Sequence, residues 1–351
     1  MGACFGERAA RIYDREPPRR PRSSARAASA RSAAGGSFLA LCTLLFAARC
    51  GGGQVREDPS ALCSISRQVA ETGGARPVRP NHWMNLLLKG FRFRRDAKRQ
   101  LDFRAHYDCI GESIVWPAPP ADCPGSPPDR PSSARLQESS VIERRLPGGD
   151  RLVWVVTHRY ANGDGLGPVA LATVSDRRLS VRALGHYRGR TGRVQMRLWS
   201  IGRGRVLVVE GERCQQPDQP ATCEREAGVM VLDRDRFAVV PIRDKKGKCI
   251  EPARVEFRRR AETPIESGWL RRFEFSASIG HDVRYLVVTE QIDINDFDPT
   301  QTGLPPRHVR RVDTERFIHL QGGELVSRQQ PLWRRMMPTR GFVELTEGEF
   351  E

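Results

Sequence analysis

The apolar residues of this chain come mostly in short, β-branched bursts separated by turn residues, and the clearest series lies between residues 193 and 242. Apolar and polar positions alternate over residues 194–199, which is the two-residue period of a half-buried strand. Turns rich in glycine or aspartate divide the series, and the apolar runs that follow lie at residues 206–209, 227–232 and 237–242. The pattern predicts four consecutive antiparallel strands that are neighbours in one sheet.

Similar bursts continue on both sides, at residues 152–157, 169–174, 179–184, 254–258, 271–278, 285–292, 316–320 and 324–326. Gly322-Gly323 is predicted as a hairpin turn, and residues 185–192, GHYRGRTG, are interpreted as a long hairpin loop. About a dozen short strands without helical spacing between them predict a mainly β fold, built as an antiparallel meander. Barrel, sandwich and propeller-like arrangements all fit, although no internal repeat is visible.

Helical spacing is confined to a small N-terminal part. Residues 59–71 predict a short helix that carries Cys63 and begins after Ser60. Residues 81–99 predict a second helix, because apolar residues recur there at intervals of three and four. Arginines crowd its second half, so this helix either packs its apolar face on the sheet or lies on an anionic membrane surface.

Composition divides the chain further. Residues 117–134 are too rich in proline for a helix or a sheet interior, and they predict a linker or extended loop. The predicted organisation is an export signal with a disordered basic leader at 1–50, a tether and helical cysteine-containing segment at 51–116, the proline-rich linker at 117–147, and the antiparallel β body at 148–351.

The leader contains the most apolar run of the chain, residues 36–48, which has the length of a signal-peptide core and is too short to span a bilayer. Cys50 and the glycines after it resemble the end of a bacterial lipoprotein signal. The resemblance implies a lipid on Cys50 and attachment to a membrane surface, although Arg49 stands where that pattern has a small residue. The alternatives are a non-lipid signal, a mitochondrial-type transit segment and a misassigned start codon. We expect an exported protein of the cell envelope, or else a secreted one.

The net charge of +16 does not predict a nucleic-acid partner. Only five of the 58 basic residues are lysine, which is typical of a GC-rich genome, and nine arginines fall in the first 50 residues. The remaining charge is spread along the predicted strands as on a solvated surface, without a dense basic stripe.

Enzyme motifs are missing from the sequence: it has no G-x-S-x-G, H-E-x-x-H, P-loop or C-x-x-C pattern. No catalytic residue and no cofactor is predicted apart from calcium. Oxygen ligands for calcium cluster in a predicted loop after Ile292, at Asp293, Asn295, Asp296 and Asp298. The alternative for this cluster is an Asp-rich turn whose side chains cap its own backbone. Tryptophans at segment edges are candidates for a glycan or peptide surface, namely Trp116, Trp269 and Trp333.

Six cysteines follow Cys50, an even set that is typical of an oxidising compartment. Cys214 and Cys223 stand at the two ends of one predicted hairpin loop, so we expect them to be joined. By the same reasoning from proximity in sequence, Cys109 is predicted to pair with Cys123 across the proline-rich segment. This leaves a third predicted pair, Cys63 with Cys249.

Taken together, the sequence predicts a lipid-tethered, non-enzymatic binding or structural β protein. Its expected partner is an envelope protein, a glycan or a cell-wall component. The alternative is a secreted hydrolase with an atypical site. A concave pocket that holds two or more carboxylates would favour the enzyme, and a shallow surface with exposed aromatic residues would favour the binding protein.

Overall fold

A computed structural model of the chain describes residues 61–66, 77–91, 105–118, 120–123, 130–175, 177–214, 223–265, 268–301 and 303–337. The predicted export signal at 1–50 and the predicted lipidation site Cys50 lie outside these residues.

The strands, numbered in chain order, are β1 (Cys63–Ser66), β2 (Ser132–Ser133), β3 (Val141–Arg145), β4 (Arg151–Val155), β5 (His158–Arg159), β6 (Gly165–Val174), β7 (Arg178–Gly189), β8 (Gly192–Ile201), β9 (Gly204–Cys214), β10 (Cys223–Asp233), β11 (Arg236–Val239), β12 (Ile242–Arg243), β13 (Cys249–Glu251), β14 (Arg254–Glu256), β15 (Arg258–Pro264), β16 (Leu270–His281), β17 (Tyr285–Phe297), β18 (Arg307–Gln321) and β19 (Glu324–Ser327). Two helices, α1 (Pro80–Leu87) and α2 (Leu332–Met336), and a 3₁₀ turn at Glu138–Ser140 complete the described elements.

These strands form two sheets in which consecutive strands mostly pair antiparallel, as the sequence predicts. The first contains β1 to β11 and β14, and the second contains β12, β13 and β15 to β19. The four central strands of the prediction are β8, β9, β10 and β11, each hydrogen-bonded to the next. Two pairings are parallel, β7 with β11 and β12 with β19. The described strands do not close into a barrel.

The first sheet is covered on both faces. One face encloses an apolar cluster drawn from both ends of the sheet, for example Leu152 of β4 and Met196 of β8. Part of the other face is covered by α1, whose Trp83 and Leu87 are almost fully buried against Val153 and its neighbours. Burial on both faces explains why β4 and β6 are nearly continuous apolar runs instead of alternating ones. The described part of the predicted helix at 81–99 therefore packs on the sheet.

The two sheets meet through a third apolar cluster. Val206 and Val208 of β9 and Val229 of β10 pack in it with Leu286 and Val288 of β17. On another part of the second sheet, α2 buries Leu332 and Met336 among apolar side chains of β16 to β18. These contacts fix the position of α2 on the second sheet, against β16 to β18.

Three local predictions are wrong. The described part of the segment at 59–71 is the strand β1, where half-buried Cys63 and Ile65 alternate with exposed serines against β7. Residues 185–189 belong to β7 and not to a loop, since they pair with β6 in regular register. The β structure also begins before residue 148, because β2 and β3 lie within the range assigned to the linker and pair with β5 and β4.

The described residues contain three disulfides, and one has the predicted partners: Cys214 and Cys223 are directly opposite each other in β9 and β10. The other two pairings are wrong, because Cys63 is joined to Cys109 and Cys123 to Cys249. Contacts between segments that are distant in sequence determine the partners in these two disulfides.

For Cys63, the pairing of β1 with β7 brings this cysteine to a Cα distance of 6.2 Å from Cys109. For Cys249, its backbone N–H donates to Asp122 Oδ2 at 3.1 Å, which seats Cys123 beside it. The three disulfides indicate an exported or extracellular protein. Neither described helix has the length and apolarity needed to cross a membrane.

Candidate functional site

The candidate site is a cleft that opens where the chain passes from the first sheet to the second. β14 pairs with β10 in the first sheet, whereas β15, which follows it directly, pairs with β16 in the second. Phe257 lies at the crossing: its N–H donates to the Arg225 carbonyl at 2.8 Å, and its own carbonyl accepts from the Ala277 N–H at 2.9 Å. Beyond this residue β10 and β15 separate, and their facing sides form the cleft walls.

The cleft has two compartments, with volumes of about 730 and about 420 Å³. Both are lined by Arg190, Glu226, Glu256, Arg259 and Phe275, so they form one continuous cleft. The described lining carries seven arginines and seven carboxyl groups, so acidic and basic side chains are equal in number. Most ligand pockets are lined mainly by apolar side chains, and this one is lined mainly by charged side chains.

Two of the carboxylates stand directly opposite each other. Glu226 of β10 and Glu256 of β14 are cross-strand partners. The hydrogen-bonded pairs of this ladder are the neighbouring ones, such as Arg225 with Phe257 and Val229 with Ala253. Glu226 and Glu256 therefore form a non-hydrogen-bonded pair, the type with Cα atoms about 4.5 Å apart and the closer side chains. Like charges directly opposite each other are unfavourable, and the charge of Glu256 raises the pKa of Glu226.

The environments of these two carboxyls differ. Glu226 is only 6% exposed, and its Oε1 has no hydrogen-bond partner among the described residues. The nearest cations are Arg254 Nη1, 3.4 Å from Oε1, and Arg190 Nε, 3.8 Å from Oε2. Burial raises the pKa of Glu226 above its ordinary value, and the two arginines oppose this only in part. The side chain of Glu256 is 47% exposed, and its Oε1 accepts from Arg259 Nη2 at 2.8 Å.

Arg190 is held in place from behind the cleft by a fully buried carboxylate, Asp164. Arg190 Nη1 donates to Asp164 Oδ1 at 2.7 Å, and Arg188 Nε donates to Oδ2 at 3.2 Å. Burial alone would raise the pKa of Asp164, but Arg254 and Arg190, together with a hydrogen bond from Asn162, hold it below its ordinary value. Asp164 is therefore an ionised anchor, and the arginines around it are fixed.

A second buried ion cluster fixes the opposite wall. Arg316 is 1% exposed, and its guanidinium lies 2.7 Å from Glu251 Oε2 and 3.0 Å from Glu290 Oε1. Glu290 Oε2 in turn accepts the Leu332 N–H at 2.7 Å, at the start of α2. The cluster thus anchors α2 and places Trp333 at the cleft, with its ring 5.9 Å from that of Phe275.

Of the tryptophans singled out in the sequence, Trp333 alone lines this cleft. Trp116 packs edge-on against Tyr187 at 6.3 Å. Trp269 lines a separate pocket of about 380 Å³ with Phe297 and residues of the turn before β18.

The four predicted calcium ligands do not come together. The predicted loop is wrong, because β17 continues through Asp293, Asn295 and Asp296 to Phe297. Alternation along a strand places Asp293 and Asn295 on one face and Asp296 on the other. Asp298 lies just beyond the strand.

Three of these residues already have protein partners, and for Asp293 the partner is Gln291, whose Nε2 donates to Asp293 Oδ2. Asp296 is fully buried and accepts hydrogen bonds from Arg271 Nε at 2.8 Å and Arg307 Nη2 at 3.1 Å. Asp298 Oδ1 accepts from the backbone N–H of Thr300 at 2.9 Å, which is the self-capping turn that the sequence offered as the alternative. Calcium binding by this segment stays a prediction.

Other groups with chemical potential lie away from the cleft. His186 Nε2 is 3.1 Å from Asp108 Oδ2, but Asp108 also caps its own turn by accepting from the Ile110 and Glu112 N–H groups. In the described part of the chain, one group of side chains has metal-ligand spacing, Glu212 with Cys214 and Cys223, and its two sulfurs are joined in a disulfide.

Glu226 and Glu256 were not predicted as site residues. They are thirty positions apart and carry no motif, and only the register of β10 with β14 brings them together. The chain matches no family model, and comparison with curated proteins and with solved structures gives no match either.

Proposed function

We propose that this is an exported cell-envelope protein, attached to a membrane surface through a lipid on Cys50, whose β body binds a glycan in the inter-sheet cleft. The observation that carries the ligand class is the balanced lining of the cleft. A sugar is neutral, and each hydroxyl both donates and accepts hydrogen bonds. Arginine donors and carboxylate acceptors in equal number suit such a ligand, whereas a polyanion would leave the carboxylates without partners and a lipid tail would leave both kinds without them.

Trp333 supports the same ligand class. Its half-buried ring lines the inner compartment, and an aromatic face in a polar cleft suits the apolar face of a sugar ring. The tether rests on the resemblance of Cys50 and the glycines after it to a lipoprotein signal, together with the three disulfides.

The binding test uses neutral chito-, cello- and malto-oligosaccharides and solubilised cell-wall glycan, titrated calorimetrically into the oxidised protein. We expect one of these probes to bind, and Trp333→Ala to weaken its affinity by on the order of tenfold, the loss of one aromatic contact. Trp269→Ala is the matched control, because that tryptophan lies in the separate pocket, and it should bind like the parent. Absence of binding to every probe, or equal loss in both variants, would overturn the glycan assignment.

The tether is tested independently in a bacterial host. The expected result is a mature chain that begins at Cys50, carries the mass of acyl groups and sediments with membranes, whereas a Cys50→Ser variant is not acylated. Acylated, membrane-bound Cys50→Ser protein would contradict the proposal, as would a mature N-terminus at another residue.

A further inference from the structure

Glu226 and Glu256 have the arrangement of an acid–base pair. In a non-hydrogen-bonded cross-strand pair the side chains leave the sheet side by side, with Cβ atoms about 4.5 to 5.5 Å apart. Glycoside hydrolysis with retention of configuration uses two carboxyls about 5 to 5.5 Å apart, and inversion uses about 6.5 to 9.5 Å. Two glutamate side chains that leave the sheet from Cβ atoms this close can bring their carboxyls within the shorter range. Both side chains line both compartments, so a ligand bound in the cleft contacts the pair.

The different surroundings divide the roles between the two. Burial and the neighbouring carboxylate both raise the pKa of Glu226 above its ordinary value, so this residue is the one suited to donate a proton. Glu256 is half exposed, and its Oε1 accepts from Arg259 Nη2 at 2.8 Å, so its carboxyl is open to the cleft and suited to act as the nucleophile. Two carboxyls in such different environments are the arrangement that divides acid and nucleophile roles.

The Oε1 atom of Glu226, which accepts no hydrogen bond from the described residues, is a candidate contact for a ligand. A buried polar atom without a hydrogen bond is costly, so such an atom at a cleft needs an explanation. Arg190 Nε, which also lines the cleft, is a second buried atom without a hydrogen bond among the described residues. The carboxyl oxygen and the guanidinium N–H together offer hydrogen bonds to the hydroxyls of a bound sugar.

We propose that the cleft hydrolyses a glycosidic bond, with Glu226 as the proton donor and Glu256 as the nucleophile. This inference rests on the proposed glycan binding and adds a reaction to it. Glu226 transfers its proton to the glycosidic oxygen while the bond from that oxygen to the anomeric carbon breaks, and a carboxylate oxygen of Glu256 bonds to that carbon. Water then attacks the same carbon and releases Glu256, and its proton returns to Glu226. The balance is one water consumed per bond cleaved, without any change of oxidation state.

The test uses the full oxidised chain with a panel of 4-nitrophenyl glycosides and the neutral oligosaccharides named above. We expect turnover of at least one of these substrates with retained anomeric configuration, read by proton NMR of the first product. Glu226→Gln should lower kcat on oligosaccharides by on the order of 10²- to 10⁴-fold. Its effect should be smaller on nitrophenyl glycosides, since that leaving group needs little protonation.

Two further variants separate the roles. Glu256→Ala should be inactive, and added azide should restore glycosyl transfer by replacing the missing nucleophile. Glu315→Gln is the control, because Glu315 is exposed on β18 outside the cleft, and it should keep the parent activity. The decline of kcat/KM at high pH should reflect the titration of Glu226 and should disappear in Glu226→Gln. Melting temperatures confirm that each variant is folded.

Each other outcome is decisive. Oligosaccharide binding without turnover of any glycoside would overturn the hydrolysis and leave the binding intact, and absence of both would overturn both proposals. Activity that survives Glu226→Gln or Glu256→Ala would remove this pair from the mechanism. Cleavage of casein that is lost in Glu226→Gln, without cleavage of any glycoside, would show that peptides are the substrate and overturn the glycosidic assignment.

Discussion

The disulfide that joins Cys123 to Cys249 should contribute more to stability than the one that joins Cys214 to Cys223, by an amount that follows from the loops they close. The sequence separations are 126 and 9 residues. The chain-entropy relation gives about 4.9 kcal/mol for the long loop and about 2.7 kcal/mol for the short one. Replacing both cysteines of the long loop by serine should therefore lower the free energy of unfolding by about 2 kcal/mol more than the same change at the short loop.

The measurement is urea unfolding at equilibrium, followed by tryptophan fluorescence and by far-UV circular dichroism, with the free energy taken by linear extrapolation. Double serine variants avoid a free thiol, and the short-loop variant is the matched control because it introduces the same two hydroxyls. Equal losses, or a larger loss at the short loop, would refute the reasoning. They would mean that native-state strain or residual structure in the unfolded chain outweighs loop entropy.

Three further perturbations have defined outcomes. Asp164→Asn removes the charge from a buried anchor of several arginines and should lower the free energy of unfolding by about 3–5 kcal/mol. A loss below about 1 kcal/mol would contradict this and would mean that water solvates these arginines in the variant. Gly167→Ala would place a Cβ 1.8 Å from the Val155 carbonyl oxygen and should cost at least about 3 kcal/mol, while Gly280→Ala meets no atom within 4 Å and should be neutral; similar melting temperatures for the two would contradict the packing. The pKa of Asp164 is lowered, so the free energy of unfolding should decrease as the pH falls below the ordinary value of 3.8. The pKa of Glu226 is raised, so the free energy of unfolding should also decrease as the pH rises above the ordinary value of 4.5. Glu226→Gln should abolish the decrease on the high-pH side, and an unchanged decrease would assign it to other groups.

The β fold could be predicted because its signal is local. From β8 to β11 the strands alternate or run apolar, and each pairs with its neighbour in sequence. The wrong predictions occurred where distant segments decide the structure. The strand β1 exists because β7 offers it an edge, and Cys63 and Cys123 found partners set by tertiary contacts instead of proximity in sequence.

The candidate site could not be predicted for a related reason. A glutamate on a strand is usually predicted to be solvated, whereas Glu226 is almost fully buried where β10 pairs with β14. The opposite error occurred at Asp296, where a dense acidic cluster indicated an open loop. Two arginines neutralise this residue, so the strand continues through it.

The disulfide map also determines which fragments a protease could release. One closed loop runs from Cys63 to Cys109, and a larger one runs from Cys123 to Cys249 and contains the third. A single cut within either loop leaves both pieces covalently joined until the disulfides are reduced. A cut between residues 110 and 122 instead separates the segment that carries α1 from the remainder, where only non-covalent packing would hold it. The proline-rich residues 117–122 lie within this stretch between the two loops, where a single cleavage would allow the N-terminal part to dissociate.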